Sequence, residues 1–363
     1  MIRIFMTGYS REKGGVETYI HNLCTQLDPD QFEVICSENE MEIDGKIWVQ
    51  PENRHHYLKY LQFWKRFFRE NHFDVMYYNT CDVVGIDMLI FAKSAGVPVR
   101  IIHAHSSGIQ RISRDQLGFL RELSEKRNRR HLKKYATDLL ACSAQSGRWM
   151  FGKQEFQIVK NGISVRNFKF QPEARQKLRT RFGMENNRLI GCVGRIAPVK
   201  NPEFVLSVGA AIKKRDPAVR ILMIGDGELK KTIEEASIQR GLSDTILFTG
   251  SVNNVGEWMS ALDCLLMPSY FEGLPFALIE AQAAGLPCVV SSNLSRETDL
   301  TGLVQFLDLK EGADVWAEQL LNCCGGPRPD TEEKLISAGY SIDNTASKVV
   351  EIITDRLDRS QDL

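Results

Sequence analysis

Nothing in this 363-residue chain builds a metal or disulfide framework. Its nine cysteines are scattered through segments that read as strands and helices, with no Cys-x-x-Cys pair and no Cys/His cluster at ligand spacing. They read as reduced thiols of a cytosolic protein, the adjacent Cys323 and Cys324 included. An excess of either charge is also lacking. Lys and Arg number 46, as do Asp and Glu, which removes the general attraction between a basic protein and nucleic acid. No apolar run reaches the roughly 18 residues of a membrane span. The opening MIRIFMTGYS turns polar too early for a signal peptide. The expectation is a cytoplasmic protein that binds no nucleic acid and crosses no bilayer, with attachment to the inner face of the cell membrane left open.

What is present is alternation. Short apolar runs, IRIFMTG, FEVICS, FDVMYYN, VRIIHAHS, DLLACS and FQIVKNG, are separated by segments of helical periodicity. After a break come LIGCVGRI, VRILMIGDG, ILFTGSV, CLLMPS and PCVVSS. Strands spaced by helices imply crossover connections and parallel sheets, so the fold class is α/β, twice over. A chain of this length suits two cores better than one. The Asn161-Gly162 turn signal and the charged stretch after it put the boundary near 165–187. By position alone the last helix, DNTASKVVEIITDRL, falls to the second domain. In HHYLKYLQFWKRFFRE, Tyr57, Tyr60, Leu61, Trp64, Phe67 and Phe68 share one helical side, read here as a face packed on the first sheet.

Several loops carry chemistry. The first strand ends at Gly8, and Gly14 and Gly15 precede a helix at Val16. Either they let an anion approach the helix start or they form a plain strand-to-helix turn. In GCVGRIAPVKNPEFVL, Arg195 follows a strand end and Lys200 precedes a helix opened by Asn201 and Pro202. Two cations at the carboxyl end of a parallel strand suit a diphosphate, the alternative being two solvated loop charges. The turns at Gly225 and at Ser251-Val252 describe a rim of exposed backbone where a nucleotide could sit. In CLLMPSYFEGLPFALIEAQAAGLPCVVSS, Glu272 lies before a helix, Pro275 at its expected first position and Glu280 about one turn into it, so both carboxylates reach a ligand held at the helix start.

Taken together, EGLPFALIE with the preceding PSYFE, VGRIAPVKN, GDGEL and the early GGVE resemble the family-4 glycosyltransferases of the GT-B fold, whose signature is Glu-x7-Glu. With HAHSS added, the chain is similar to bacterial transferases of capsular and exopolysaccharide assembly. The resemblance implies two Rossmann-like domains with parallel sheets facing across a cleft. It places residues 1–165 in an acceptor-side domain, completed by a crossing helix at 343–363, and residues 166–342 in a donor-binding domain. It implies that Arg195 and Lys200 neutralise the donor diphosphate, Glu280 binds the ribose, and the backbone around Gly273, Leu274 and Pro275 adds donors. Glu272 would contact the transferred sugar, and His105 would meet that sugar near the reacting carbon, the two forming the catalytic pair. His103, two residues earlier on the same strand face, reads as a packed core histidine.

The activity so implied is a retaining hexosyltransferase. It moves a hexose or N-acetylhexosamine from a UDP-sugar to a glycan or lipid-linked saccharide, with no cofactor and no catalytic metal. The alternatives are a sugar-nucleotide epimerase and a sugar-nucleotide sensor without turnover. A nicotinamide enzyme is disfavoured because neither first strand leads into GxGxxG. Residues 100–160 hold 13 Lys and Arg against 5 Asp and Glu, centred on KRNRRHLKK, which is read as a peripheral contact with anionic membrane.

Overall fold

The computed structural model describes residues 1–8, 14–50, 57–106, 108, 116–273 and 275–361. Two compact units emerge, one formed by Met1–Gly162 with Ile342–Leu363, the other by Ile163–Ser341.

The first unit runs β1 (Ile2–Thr7), α1 (Gly15–Cys24), β2 (Phe32–Cys36), β3 (Glu40–Ile43), β4 (Lys46–Val49), α2 (Tyr57–Glu70), β5 (Val75–Thr80), α3 (Asp87–Ser94), β6 (Val99–Ala104), α4 (Gln116–Tyr135), β7 (Asp138–Ala141), α5 (Ala144–Phe151) and β8 (Gln157–Ile158). Its six-stranded sheet is parallel, in the order β2-β1-β5-β6-β7-β8. Strands β1, β5 and β6 read as nearly unbroken apolar runs because helices cover both faces. The aromatic stripe of α2 supplies much of that cover. Tyr60, Trp64, Phe67 and Phe68 are buried, and the Phe5 ring of β1 lies 5.0–5.7 Å from the rings of Trp64, Phe67, Phe68 and Phe73. The side chain of Tyr57 lies outside the described set. The closing helix, Ile342–Gln361, belongs to this unit, with Arg356 paired to Asp138 at 2.9 Å and Thr345 Oγ1 donating to the Lys160 carbonyl at 2.9 Å.

A hairpin unforeseen in the sequence joins β3 to β4. Asp44 and Gly45 both have positive φ, 51° and 75°, the two-residue turn that Asp-Gly favours, and they bring Met41, Ile43 and Trp48 into the aromatic cluster.

The second unit begins with α6 (Val165–Phe168) and α7 (Pro172–Arg181). It continues through β9 (Arg188–Val193), α8 (Pro202–Arg215), β10 (Val219–Ile224), α9 (Lys230–Gln239), β11 (Ile246–Gly250), α10 (Val255–Ala261), β12 (Cys264–Met267), α11 (Phe276–Ala283), β13 (Cys288–Ser291), β14 (Val304–Leu307), α12 (Gly312–Cys323) and α13 (Glu332–Ser337). The sheet order is β11-β10-β9-β12-β13-β14, again parallel. Its core is aliphatic, built on residues such as Ile190, Val205, Leu206, Ile221, Leu266 and Val289. A buried carboxylate, Asp263, binds Arg175 Nη2 at 2.5 Å, Arg179 Nη2 at 2.6 Å and the Leu189 amide at 2.8 Å, tying α7 to the starts of β9 and β12.

Both sheets reverse direction once. In the first, the chain steps outward from β1 to β2, then returns to place β5 on the other flank. In the second, β9 lies between β10 and β12. Such switch points open a crevice at the carboxyl ends of the strands, where open α/β sheets hold ligands.

Candidate functional site

At the switch point of the second sheet a pocket is lined by Gly194, Arg195, Lys200, Pro202, Met267 and Ser269, among others. Glycines let the loops above β9 and β10 meet closely. Gly225 has φ +144° and packs directly on the Gly194 carbonyl, while a Cβ on Gly227 would sit 2.5 Å from the Ile196 carbonyl oxygen. Gly225 thus serves backbone packing, and its amide donates to the Gly250 carbonyl at 3.0 Å.

Lys200 ends a short 3-10 turn, Pro198–Lys200, just before α8. Its Nζ donates to Glu272 Oε1 at 2.6 Å, and Ser269 Oγ donates to the same oxygen at 2.7 Å. The pairing has a physical cause. Tyr270 N donates to the Val199 carbonyl at 2.9 Å, stitching the loop after β12 to the loop after β9. The cation and the carboxylate expected to meet different parts of a ligand therefore meet each other. Arg195, more exposed, pairs through Nε with Glu228 at 3.0 Å. An anionic ligand here would be met by Arg195, Lys200 and the helix start of α8, with Glu272 released to hydroxyl groups.

Glu280 lies on α11, 8% exposed and outside the pocket lining. Among the described residues its carboxylate has no hydrogen-bond partner, and burial pushes its pKa up to about 7. Hydroxyl donors would stabilise its ionised form. Pro275 occupies the cap position of α11 and the helix starts at Phe276, one residue later than expected, because Pro275 keeps an extended ψ of 91°. Gly273 is half-buried in the preceding loop, and Leu274 lies outside the described residues. Ser251 is exposed past the end of β11, while Val252 packs partly into the core. Neither lines the pocket.

In the first unit Gly14 caps α1 in an extended conformation and Gly15 is its first residue. The carboxylate of Glu17 folds back over them, its Oε2 only 2.5 Å from where a Gly14 Cβ would be. The helix start is thus already faced by an acid of its own chain, and an incoming anion would have to move it.

His103 and His105 leave β6 toward the same side, ring centroids 4.2 Å apart. His103 is fully buried, with Nε2 3.1 Å from the Val159 carbonyl and Nδ1 3.0 Å from the Tyr77 hydroxyl, which in turn meets the Tyr19 hydroxyl at 2.9 Å. A carbonyl only accepts, so Nε2 carries the proton and Nδ1 accepts from Tyr77. Burial, with the neighbouring His105, holds His103 well below the ordinary histidine range. His105 is 6% exposed, its Nε2 2.9 Å from Asn79 Oδ1 and its Nδ1 3.0 Å from Asn161 Oδ1. Burial lowers its pKa to about 3, opposed in part by the bond to Asn161. Both rings are neutral at physiological pH.

The sequence reading missed Ser269, Asn79, Asn161 and Thr7, whose carbonyl accepts from Asn79 Nδ2 at 2.9 Å. Asn161 stood in plain sight as a turn signal, and Ser269 follows a strand end by two residues. Asn79 and Thr7 carry no local mark.

A family model described as Glycosyltransferase Family 4 matches residues 13–166, and one described as Glycosyl transferases group 1 matches residues 174–297. EpsF of Bacillus subtilis (strain 168), which is named as a glycosyltransferase, is 31% identical over 366 residues, covering 94% of this chain and 93% of its own. The capsular polysaccharide biosynthesis glycosyltransferase CapH of Staphylococcus aureus is 28% identical over 240 residues, 64% of this chain and 63% of its own. HepE of Anabaena, solved in complex with UDP and glucose, has the same fold, with a TM-score of 0.72 over 98% of this chain and 100% of its own at 17% identity.

Proposed function

Since the chain belongs to glycosyltransferase family 4 and has the GT-B fold, we propose that it transfers a hexose or N-acetylhexosamine from a UDP-sugar, with retention, to a glycan or lipid-linked acceptor in bacterial surface polysaccharide synthesis. The observation that carries this reading is the Lys200–Glu272–Ser269 cluster beside Arg195 at the switch point of the second sheet. It offers cations and helix-start amides to a departing diphosphate and a carboxylate to sugar hydroxyls. In this reading Glu280 takes the ribose, Glu272 the transferred sugar, and His105 the sugar near the reacting carbon. Gly14 and Gly15, the rim at Gly225, Ser251 and Val252, and the Gly273–Pro275 loop add backbone contacts. The surface-polysaccharide role is supported by the name of CapH. UDP as carrier rests on the family resemblance.

No divalent metal takes part in this proposal, because Arg195, Lys200 and the helix starts supply the positive charge. Calorimetry of UDP, GDP and their sugar conjugates in excess chelator tests it, with UDP conjugates expected to bind. Binding that requires magnesium or manganese overturns the metal-free site, and preference for GDP overturns the carrier. The anomeric configuration of the product, read by NMR before it equilibrates, decides retention.

The acceptor side is proposed to rest on anionic lipid. No helix among the described residues is long and apolar enough to cross a membrane. On α4, however, Phe119, Leu120 and Leu123 are 64%, 59% and 47% exposed beside the cations of KRNRRHLKK. Basic residues near an anionic surface each gain about 1 kcal/mol, lost as salt screens them. Flotation with anionic vesicles at low salt but not high salt is expected, and equal partition into neutral vesicles sinks the idea.

A further inference from the structure

Three side chains from separate segments meet at the carboxyl end of the first sheet. Asn79 comes from β5, His105 from just past β6, and Asn161 from the segment that leaves the unit. Both histidine nitrogens lie against amide groups, Nε2 2.9 Å from Asn79 Oδ1 and Nδ1 3.0 Å from the Asn161 side-chain atom assigned as oxygen. Oxygens only accept, so this arrangement would need a proton on each nitrogen and a charged ring. Among the described residues the surroundings offer no counterion. Among the described residues no carboxylate bonds to the ring, and its aromatic neighbours are His103 at 4.2 Å and Tyr19 at 4.7 Å between centroids. Burying an unpaired ion is costly, so the ring is neutral and has a single N–H.

The position of that proton follows from the neighbours. Asn79 Nδ2 donates to the Thr7 carbonyl at 2.9 Å, which fixes the amide with its oxygen toward His105 Nε2. Nε2 therefore carries the hydrogen, and Nδ1 needs a donor. Asn161 has no other side-chain bond among the described residues, and its oxygen and nitrogen exchange places by a half-turn that leaves its shape unchanged.

We infer that Asn79 and Asn161 are positioning residues that hold His105 as the neutral Nε2–H tautomer, with Asn161 turning its NH2 group toward Nδ1. Both ring nitrogens are then committed, and the ring forms a strut from β1 through β5 and β6 to Asn161. The functional consequence rests on the reading of His105 as a sugar-side residue: it meets the sugar through its ring edge, and neither gives nor takes a proton.

The test is a long-range proton–nitrogen correlation spectrum of the 15N-labelled protein, with the His105 signals identified by their loss in His105→Gln. The wild type is expected to show Nε2 protonated and Nδ1 bare, without titration, from about pH 5 to 8. A proton on Nδ1 anywhere in that range overturns the proposal. Asn161→Asp replaces the donor with a carboxylate, and the ring should take its second proton at a pH higher by about 1–3. An unchanged ring in that variant overturns the positioning role. If Asn161→Asp does not fold, the wild-type spectrum alone decides. Full turnover by His105→Gln would instead overturn the reading of His105 as sugar-side and leave the tautomer standing.

Discussion

The two units share a six-stranded parallel α/β architecture and differ in strand order and in what they bury. The first buries His103 and His105, neutral among tyrosines and amides, beside an aromatic core. The second buries Asp263, ionised between two arginines, and Glu280, without a partner among the described residues, beside an aliphatic core. His103, His105 and Asp263, all with lowered pKa values, lose stabilisation as pH falls, whereas Glu280, with a raised one, loses it as pH rises. The difference shows that depth alone does not set a group's charge. Asp263 and Glu280 are equally exposed at 8%, yet burial wins at Glu280. At Asp263 burial is outweighed by the Leu189 amide and the two guanidiniums, which hold it below the usual carboxylate range.

The largest expected effect sharpens that last contrast. Asp263→Ala leaves Arg175 and Arg179 facing each other without their carboxylate and should cost about 3–5 kcal/mol of second-unit stability, read by urea unfolding. Asp138→Ala, whose partner Arg356 is 39% exposed, should cost clearly less. Equal losses would remove the distinction between the units.

Next comes pH. His105 has a depressed pKa, so the unfolded chain binds its proton more readily, and stability present above about pH 6.5 is lost as pH falls toward 3. His103 acts in the same direction. Glu280 has a raised pKa, so the native state binds its proton more readily, and stability present below about 4.5 is lost as pH rises to about 7. Full ionisation of Glu280 costs about 3 kcal/mol of stability. Hydrogen exchange resolved by unit should show the first weakening in acid while Glu280→Gln strengthens the second above neutrality. A variant no more stable than wild type at pH 8 would break the comparison. If Glu280 takes the ribose as proposed, UDP binding at pH 6 should also release a proton, since hydroxyl donors favour the ionised glutamate.

A smaller effect separates the two glutamates. In the proposed division Glu280 holds the ribose, a contact present in ground and transition states alike, so Glu280→Ala should weaken UDP binding about tenfold to a hundredfold. Glu272→Ala should reduce turnover by a similar factor with UDP affinity nearly kept. Equal loss of UDP affinity in both would refute the division. Because Lys200 is bonded to Glu272 at 2.6 Å, removing the acid frees that cation, and UDP affinity in Glu272→Ala should if anything rise. The smallest effect belongs to Arg195: its exposed pair with Glu228 contributes about 0.2–1 kcal/mol at most, so Arg195→Ala should leave the melting temperature nearly unchanged while weakening UDP binding.

Much of this architecture is legible in the amino-acid order. Eleven of the strands coincide with apolar runs because parallel strands covered on both faces have no polar side to break the pattern. Strand β14 escaped because Gln305 faces solvent at the sheet edge and interrupts the run. The β3–β4 hairpin is marked by Asp44-Gly45 and by the alternation of exposed Glu40 and Glu42 with buried Met41 and Ile43, but its strands of four residues each are too short to stand out as apolar runs. At the site, the residue types and their loops were readable, but their mutual bonds were not. The Lys200–Glu272 pair spans 72 positions, and the clasp of Asn79, His105 and Asn161 joins three separate segments, so neither leaves a spacing to find.

The bond between Lys200 and Glu272 also bears on competition inside a cell. A pocket whose lysine is already answered by a carboxylate is a poor trap for free phosphate or sulfate, because each would have to strip the lysine away and leave Glu272 beside a second anion. A ligand that brings hydroxyl groups along with its phosphates gives the displaced carboxylate new partners. The pocket thereby selects against the abundant simple anions before any contact with a base or a sugar is made.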